Sequence, residues 1–274
     1  MHRTTLLRRL SDRGRRAVSG GVLFAMAALT VITPSIVYGQ AVVRVAGYNI
    51  KHGRGMDDQV DLPRIADVLR ALDADVITLQ EVDDRTERTG GVAQVAVLAE
   101  LLGYEGLHGP HRPYQGGFYG NAILTRLPVR SHRIHQIPPA AGSALAVQEV
   151  EVELDGAAAP TLSVVSVHLA GSEDERMAQA DAVTSFFRGR TSPVVLVGDF
   201  NGRPGSPVLA RLERDWTIVK KVGPRFTYPA DTPDREIDFV MVRASDAVAV
   251  LHHAVVPESM ASDHRPLIAD LRIR

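Results

Sequence analysis

Residues 194–201 read Val-Val-Leu-Val-Gly-Asp-Phe-Asn. Four apolar residues make a run suited to a buried strand, and the run closes on a carboxylate and an amide spaced two apart. Side chains alternate faces along a strand. If strand geometry continues, Asp199 and Asn201 lie on one side and Phe200 on the other. Gly198 leaves space for another group to approach the backbone. Two readings fit the stretch alone: an Asx turn that ends a strand, or one corner of a functional site.

The other apolar runs decide between them. Residues 41–50, 75–82, 119–129, 145–154, 161–170, 235–242, 247–256 and 266–273 read as strands. Residues 61–75 form an amphipathic helix, with Asp61 as cap and Pro63 in the first turn. Residues 90–104 form a helix closed by Gly103, and residues 173–190 a helix with a charged outer face. The regions 119–154 and 235–273 contain no helix, so a purely parallel sheet with strict strand–helix alternation does not fit. Mixed sheets packed together and covered by helices fit better. No Ser/Pro/Gly-rich linker divides the body, which reads as one domain over residues 40–274.

Nearly every strand carries polar residues at one end. Asn49 ends the first. Gln80 and Glu81 follow an apolar run, and alternation places Glu81 on the face of Ile77 and Leu79. His168 is in phase with Val164 and Ser166. Asp238 immediately precedes an apolar run, and Asp263 and His264 stand just before the last strand. Each residue taken singly has an ordinary explanation as a turn residue, a cap, a solvated strand end or a satisfied buried histidine. Six such coincidences are improbable together, because apolar strands that end in carboxylates imply a cation or a polar network.

The residue types select the cation. The chain of 274 residues has no cysteine, which excludes disulfides, thiolate chemistry and cysteine-ligated zinc. Carboxylate and amide oxygens suit Mg²⁺ or Mn²⁺, with Ca²⁺ also compatible. Mg²⁺ takes one or two protein carboxylates and completes its shell with water and phosphate oxygens, which leaves histidines for phosphate contact or proton transfer. The implied reaction is water attack on a phosphoester.

Charge is unevenly distributed. Net charge is −1, but residues 1–39 hold six arginines and one acid, so the remainder carries 25 basic and 31 acidic residues, a net of −6. A body that acidic has no general attraction for nucleic acid. The N-terminus reads as an export signal: a basic segment, an apolar stretch over residues 21–37, and small residues Val37 and Gly39 before Gln40. Arg15 and Arg16 form a twin arginine, a weak hint of the corresponding export route. A retained anchor helix is the alternative, although Pro34 interrupts a stretch at the lower limit for crossing a bilayer.

The motifs YNIKHG (48–53), LQEVD (79–83), YGNAILTR (119–126), VSVHLAG (165–171), LVGDFN (196–201), IDFV (237–240) and SDHRPL (262–267) occur in the order seen in the endonuclease/exonuclease/phosphatase superfamily, which the chain resembles from about Val42 to its C-terminus. The resemblance implies a four-layer α/β sandwich with two mixed sheets at its centre. It implies Glu81 as the main Mg²⁺ ligand beside Asn49, with Asp263 as a further metal-site carboxylate. Asp199 corresponds to the residue that aligns or deprotonates the attacking water, and Asn201 to its phosphate-orienting companion. His264 corresponds to the histidine on the scissile phosphate, oriented by Asp238. His168 corresponds to a phosphate-contacting or proton-donating histidine, and Asn121 to a further active-site polar residue. Lys51 stands where many relatives carry histidine.

A finer resemblance, carried by EVDDRTERTGG (81–91) and FTYPADTPDREIDF (226–239), is to a bacterial subgroup similar to the hydrolase-like domain of proteins that remodel glycosylphosphatidylinositol-anchor lipids. The sequence therefore leads to an exported, Mg²⁺-dependent phosphodiesterase or phosphatase acting on a phospholipid headgroup or another small phosphoester, with a membrane surface as a partner through a lipid substrate or an uncleaved N-terminus. The alternatives are a secreted nuclease, in which nucleic acid is the partner, and a non-catalytic binding module on the same fold. Arg85 and Arg88 either face substrate or make surface salt bridges. Specificity is expected in loops 52–60, 83–90, 108–118 and 223–235.

Overall fold

A computed structural model describes residues 41–154, 161–243 and 247–274. The segment read as an export signal lies outside the described residues. The described residues belong to one unit, Tyr38–Arg274, and among them no helix is long and apolar enough to cross a membrane.

The chain runs β1 (Ala41–Asn49), α1 (Leu62–Leu72), β2 (Val76–Asp84), α2 (Gln94–Leu102), β3 (Glu105–Tyr114), β4 (Gly117–Thr125), β5 (Val129–Ala140), β6 (Ser143–Glu153), β7 (Thr161–His168), α3 (Glu173–Phe186), β8 (Val194–Asp199), α4 (Pro207–Leu212), β9 (Trp216–Ile218), β10 (Asp238–Arg243), β11 (Val248–Val255) and β12 (Leu267–Ile273). Two six-stranded mixed sheets result, ordered β11-β12-β1-β2-β4-β3 and β5-β6-β7-β8-β10-β9. Valines fill the space between them: Val43, Val45 and Val76 on one side pack with Val164, Val195, Val197 and Val240 on the other. Helices α1 and α2 cover the outer face of the first sheet through Ile65, Leu69 and Leu98 against Ile77 and Leu79. Helices α3 and α4 cover the second through Val183 and Leu209 against Val165, Leu196 and Phe200. This is the four-layer α/β sandwich.

Local chemistry explains the boundaries. The Asp61 carboxylate accepts from the Arg64 amide at 2.9 Å and opens α1. Ser172 and Glu175 form a reciprocal capping box at the start of α3. Four elements were illegible beforehand: β3, β5, β9 and α4. The segment 108–118, expected to be a specificity loop, is largely the β3–β4 hairpin. Its turn residues Gln115 and Gly116 both have positive φ, the condition for a type I′ turn.

The topology positions the site. Strands β1 and β2 are parallel, as are β7 and β8, each pair joined through a helix. Parallel neighbours end at the same edge, so Asn49, Glu81, His168 and Asp199 all emerge at one end of the sandwich. Strand β10 runs antiparallel to β8 and begins there. His168, Asp199 and Asp238 are consequently direct cross-strand partners in one row.

Candidate active site

Asp199 is the hub. It is 2% exposed. Its Oδ1 accepts from the Asn201 backbone amide at 2.8 Å, and its Oδ2 accepts from the side-chain amides of Asn201 and Asn49, each at 3.3 Å. The Nε2 atoms of His168 and His264 both stand 3.7 Å from the same Oδ2. Asn201 achieves this by leaving strand geometry, with φ 47°, and its amide also donates to the Leu169 carbonyl at 2.9 Å. Phe200 points away into the layer beneath α3 and α4. The expected close approach at Gly198 is present. With φ 144°, a Cβ there would lie 2.1 Å from the Val167 carbonyl oxygen and 2.9 Å from Gln80 Nε2.

Glu81 reaches the same cluster by a route that alternation does not give. It was expected on the face of Ile77 and Leu79, beneath the helices. Instead, pairing between β2 and β4 skips between Leu79 and Val82, and Glu81 adopts φ 58°. This bulge leaves Gln80 bonded to Ser166 Oγ at 2.9 Å, between the sheets. It also turns Glu81 to the intersheet side, where Oε1 accepts from Asn49 Nδ2 at 3.0 Å. One amide thus donates to two carboxylates, Glu81 and Asp199. The Asn49 side-chain oxygen accepts from the Lys51 backbone amide at 3.1 Å, which fixes the orientation.

The third corner comes from β10 and the loop before β12. His264 Nδ1 lies 2.9 and 3.2 Å from the two Asp238 oxygens. Burial alone would lower the His264 pKa; the Asp238 carboxylate outweighs it and pushes the imidazole up to about 10. Asp199 shifts upward too, to about 6, because burial and the neighbouring Asp238 charge both disfavour its ionised form. Asp263 pairs with Lys51 Nζ at 3.0 Å, so the lysine at position 51 is the partner of this carboxylate. Asn121 lies behind the cluster and donates to the Ser166 carbonyl at 3.2 Å.

Three supporting residues went unread in the sequence. Ser262 Oγ donates to the Asn49 carbonyl at 2.7 Å and ties the His264 loop to the end of β1. Lys221 Nζ donates to the Asp238 carbonyl and to Glu236, each at 2.8 Å. The Tyr228 ring packs 4.9 Å from the His264 ring. Tyr228 and Ser262 stood inside quoted motifs without any sign of their contacts, and nothing in the sequence singles out Lys221. Arg88 is a salt-bridging residue, bidentate to the buried Asp83 at 2.7 and 2.8 Å, and exposed Arg85 pairs with Asp84.

The donor set fits a hard divalent cation. Glu81 and Asp199 converge on one amide nitrogen, and no Lys or Arg among the described residues pairs with either. Asp199, Asp238 and His264 also present ligand-capable atoms within 4.8 Å of one another. His264 and Asp238 are already engaged with each other, which leaves the Glu81–Asn49–Asp199 side better placed for an ion.

The layered sandwich gathers carboxylates, amides and histidines at one end of its two sheets. The chain belongs to the Endonuclease/Exonuclease/phosphatase family, which it matches over residues 46–264. It is 25% identical over 227 residues to the Escherichia coli (strain K12) protein YbhP, covering 77% of this chain and 88% of that one. The fold is shared with an endonuclease/exonuclease/phosphatase from Beutenbergia cavernae (TM-score 0.65, 24% identity, 85% of this chain and 72% of that chain). It is also shared with ANGEL2, a 2′,3′-cyclic phosphatase (TM-score 0.68, 16% identity, 85% and 96%).

Proposed function

We propose that the protein is an exported, Mg²⁺- or Mn²⁺-dependent hydrolase of phosphoester bonds, acting on a phospholipid headgroup or another small phosphodiester. The observation that carries this reading is the convergence on Asp199, beside Asn201, of Asn49, His168 and His264 from three other elements. Family membership supports the reaction class, and the basic-then-apolar N-terminus supports export.

The roles are those the family resemblance implies, and the geometry is compatible with them. Glu81 and Asn49 would hold the ion, with Asp263 nearby and restrained by Lys51. When bound, the ion supplies Lewis-acid neutralisation of phosphate charge. Asp199 is buried, and its raised pKa keeps its basicity close to what proton abstraction near neutrality needs, so it orients and deprotonates the water. Asn201 orients phosphate oxygens, and Asn121 is a further polar residue of the site. His264, held cationic by Asp238, contacts the scissile phosphate. His168 contacts the phosphate or protonates the leaving oxygen through Nε2. Replacing Asp199 or His264 with Ala should lower metal-dependent hydrolysis across a phosphoester panel roughly 10²–10⁴-fold. Retention of a near-wild-type rate would overturn the assignment.

One observation favours a nuclease as the second reading. The Arg88 and Arg112 guanidinium groups stack over Tyr114 and Tyr119 at 4.7–5.8 Å, and nucleases use such basic and aromatic tracks. Asp83 already neutralises Arg88, and the body carries net negative charge. Digestion of plasmid DNA by the purified protein would reverse the order.

A further inference from the structure

Strand β4 is flanked by two irregularities that meet at Gly120, one opposite β2 over Gly120–Ala122 and one opposite β3 over Tyr119–Gly120. On the β2 side the skip between Leu79 and Val82 delivers Glu81 to the cleft. On the β3 side Pro110 pairs with Gly120 and Arg112 with Tyr119, which leaves His111 as the extra residue. This second bulge turns His111 inward, where it is 5% exposed. Gly120 permits the crossing, since a Cβ there would lie 2.2 Å from the Gly109 carbonyl oxygen and 2.8 Å from the His111 nitrogen.

The roles assigned above make no use of His111. Its ring stands edge-on to Tyr119 at 5.9 Å. Burial, then the neighbouring His168 and Arg112 charges, push its pKa down to about 3, so the ring is neutral. The Ala146 backbone is close, yet neither ring nitrogen reaches hydrogen-bond geometry with any described residue. Among the other buried atoms in this condition are His168 Nδ1 and Asn121 Oδ1. The Asn121 amide nitrogen donates to the Ser166 carbonyl, which leaves Oδ1 as a buried acceptor. Buried polar groups of this kind call for a partner.

The required partner has a definite chemistry. Asn121 Oδ1 needs a donor. A neutral imidazole offers one N–H and one lone pair, and so needs both an acceptor and a donor. Ionised phosphate oxygens only accept, and would leave Asn121 Oδ1 and one His111 nitrogen unmatched. Hydroxyl groups donate and accept, and match all of them. We propose that His111 and Asn121, with His168 Nδ1, form a subsite for a leaving group that carries hydroxyls beyond the esterified one, and that His111 is a specificity-determining residue; this rests on the phosphoester-hydrolase reading. Arg112, which has no carboxylate partner among the described residues, covers the outer side by stacking on Tyr119 at 4.8 Å.

Matched substrates test this. Phosphate monoesters and diesters of inositol are compared with those of cyclohexanol, and those of glycerol with those of propanol, in wild type and His111→Phe. The wild type should favour the hydroxylated member by at least about tenfold in kcat/KM, the cost of leaving buried polar groups unmatched. In His111→Phe the ratio should fall toward one through loss on the hydroxylated substrate. A wild-type ratio near one overturns the subsite, and a high ratio unchanged in His111→Phe overturns the role of His111. A second measurement needs no turnover: the His111 imidazole resonances of the intact wild-type protein, titrated with free inositol and with cyclohexanol. A shift with inositol alone supports the subsite even if every ester resists hydrolysis, a result that would sink the hydrolase reading instead. Silence toward inositol overturns it.

Discussion

Glu149 on β6 and Asp199 on β8 are carboxylates buried in the same sheet, two strands apart, and the fold treats them oppositely. Glu149 is fully enclosed and fully partnered. Its Oε1 accepts from Ser163 Oγ at 3.0 Å and meets Arg190 at 2.7 Å, while Oε2 meets His135 Nε2 at 2.7 Å. Burial alone would raise its pKa, but His135 and Arg190 outweigh burial and hold it below the usual carboxylate range. Asp199 has amide donors and two imidazoles at 3.7 Å but no Lys or Arg, and its pKa rises to about 6. The structural carboxylate is neutralised from within the chain. Asp199 is left with one imidazolium at 3.7 Å and no Lys or Arg among the described residues, an incomplete compensation that suits the proposed uptake of a cation and a reactive water.

The largest effect should come from Asp199→Asn, which keeps an acceptor for the Asn201 amide and removes the charge. Activity should fall about 10³-fold, while the chelated protein becomes more stable near neutral pH. The folded pKa of about 6 lies above the unfolded 3.8, so ionisation opposes folding. That penalty is absent below pH 3.8, grows toward pH 6 and is complete above it. The interval bounds the gain at about 3 kcal/mol. Urea unfolding in chelator should show the gain at pH 8 and little of it at pH 4; an equal effect at both would break the contrast.

Glu149→Gln should do the reverse, destabilising by about 3 kcal/mol because it leaves Arg190 uncompensated, with kcat/KM per folded molecule within about twofold. Denaturation midpoints and active-fraction kinetics check this. Next in size is the response to Mg²⁺ or Mn²⁺. At 100 times Kd a bound ion stabilises by about 2.7 kcal/mol. Thermal unfolding should show it in wild type and Glu149→Gln, and only weakly in Glu81→Gln and Asp199→Asn. No response in wild type would remove the cation from the site.

Much of this contrast was legible before the structure. Polar residues that close apolar runs mark Asn49, Glu81, His168 and Asp199, and one that opens a run marks Asp238, because a core strand rarely begins or ends in such groups by accident. What alternation could not show is where pairing slips. The bulges at Glu81 and His111 depend on which strand lies opposite, a tertiary property, so alternation puts Glu81 on the wrong face and gives no sign of His111. The missing strands β3 and β5 lie at sheet edges, where Pro110, Pro113, Pro138 and Pro139 are tolerated for want of a partner strand on one side. In the sequence those prolines resemble loops. The one available signal for the β3–β4 hairpin was Gln-Gly-Gly between tyrosine and phenylalanine, a two-residue turn with aromatic flanks. Glu149 drew no notice because an acid in an alternating strand ordinarily faces water.

The smallest expected effect sharpens the contrast through its sign. Ser163 donates to Glu149 and accepts from Arg190 Nη1 at 3.1 Å. Ser163→Ala removes one hydrogen bond to a charged group while His135 and Arg190 remain, and should cost about 1–1.5 kcal/mol at pH 7. Because the Glu149 pKa is depressed on folding, its contribution is present above the unfolded value of 4.5 and is lost as pH falls through the folded value. The difference between wild type and Ser163→Ala should therefore shrink on acidification. The difference between Asp199→Asn and wild type should shrink in a higher window, as pH falls from about 6 toward 3.8, because the wild type sheds a penalty there rather than a contribution. Measured by urea unfolding in chelator from pH 3.5 to 8, the wild type gains on one variant and loses on the other as pH rises. Parallel trends would mean that the two buried carboxylates are electrostatically alike, and the distinction between a closed structural site and an open functional one would fail.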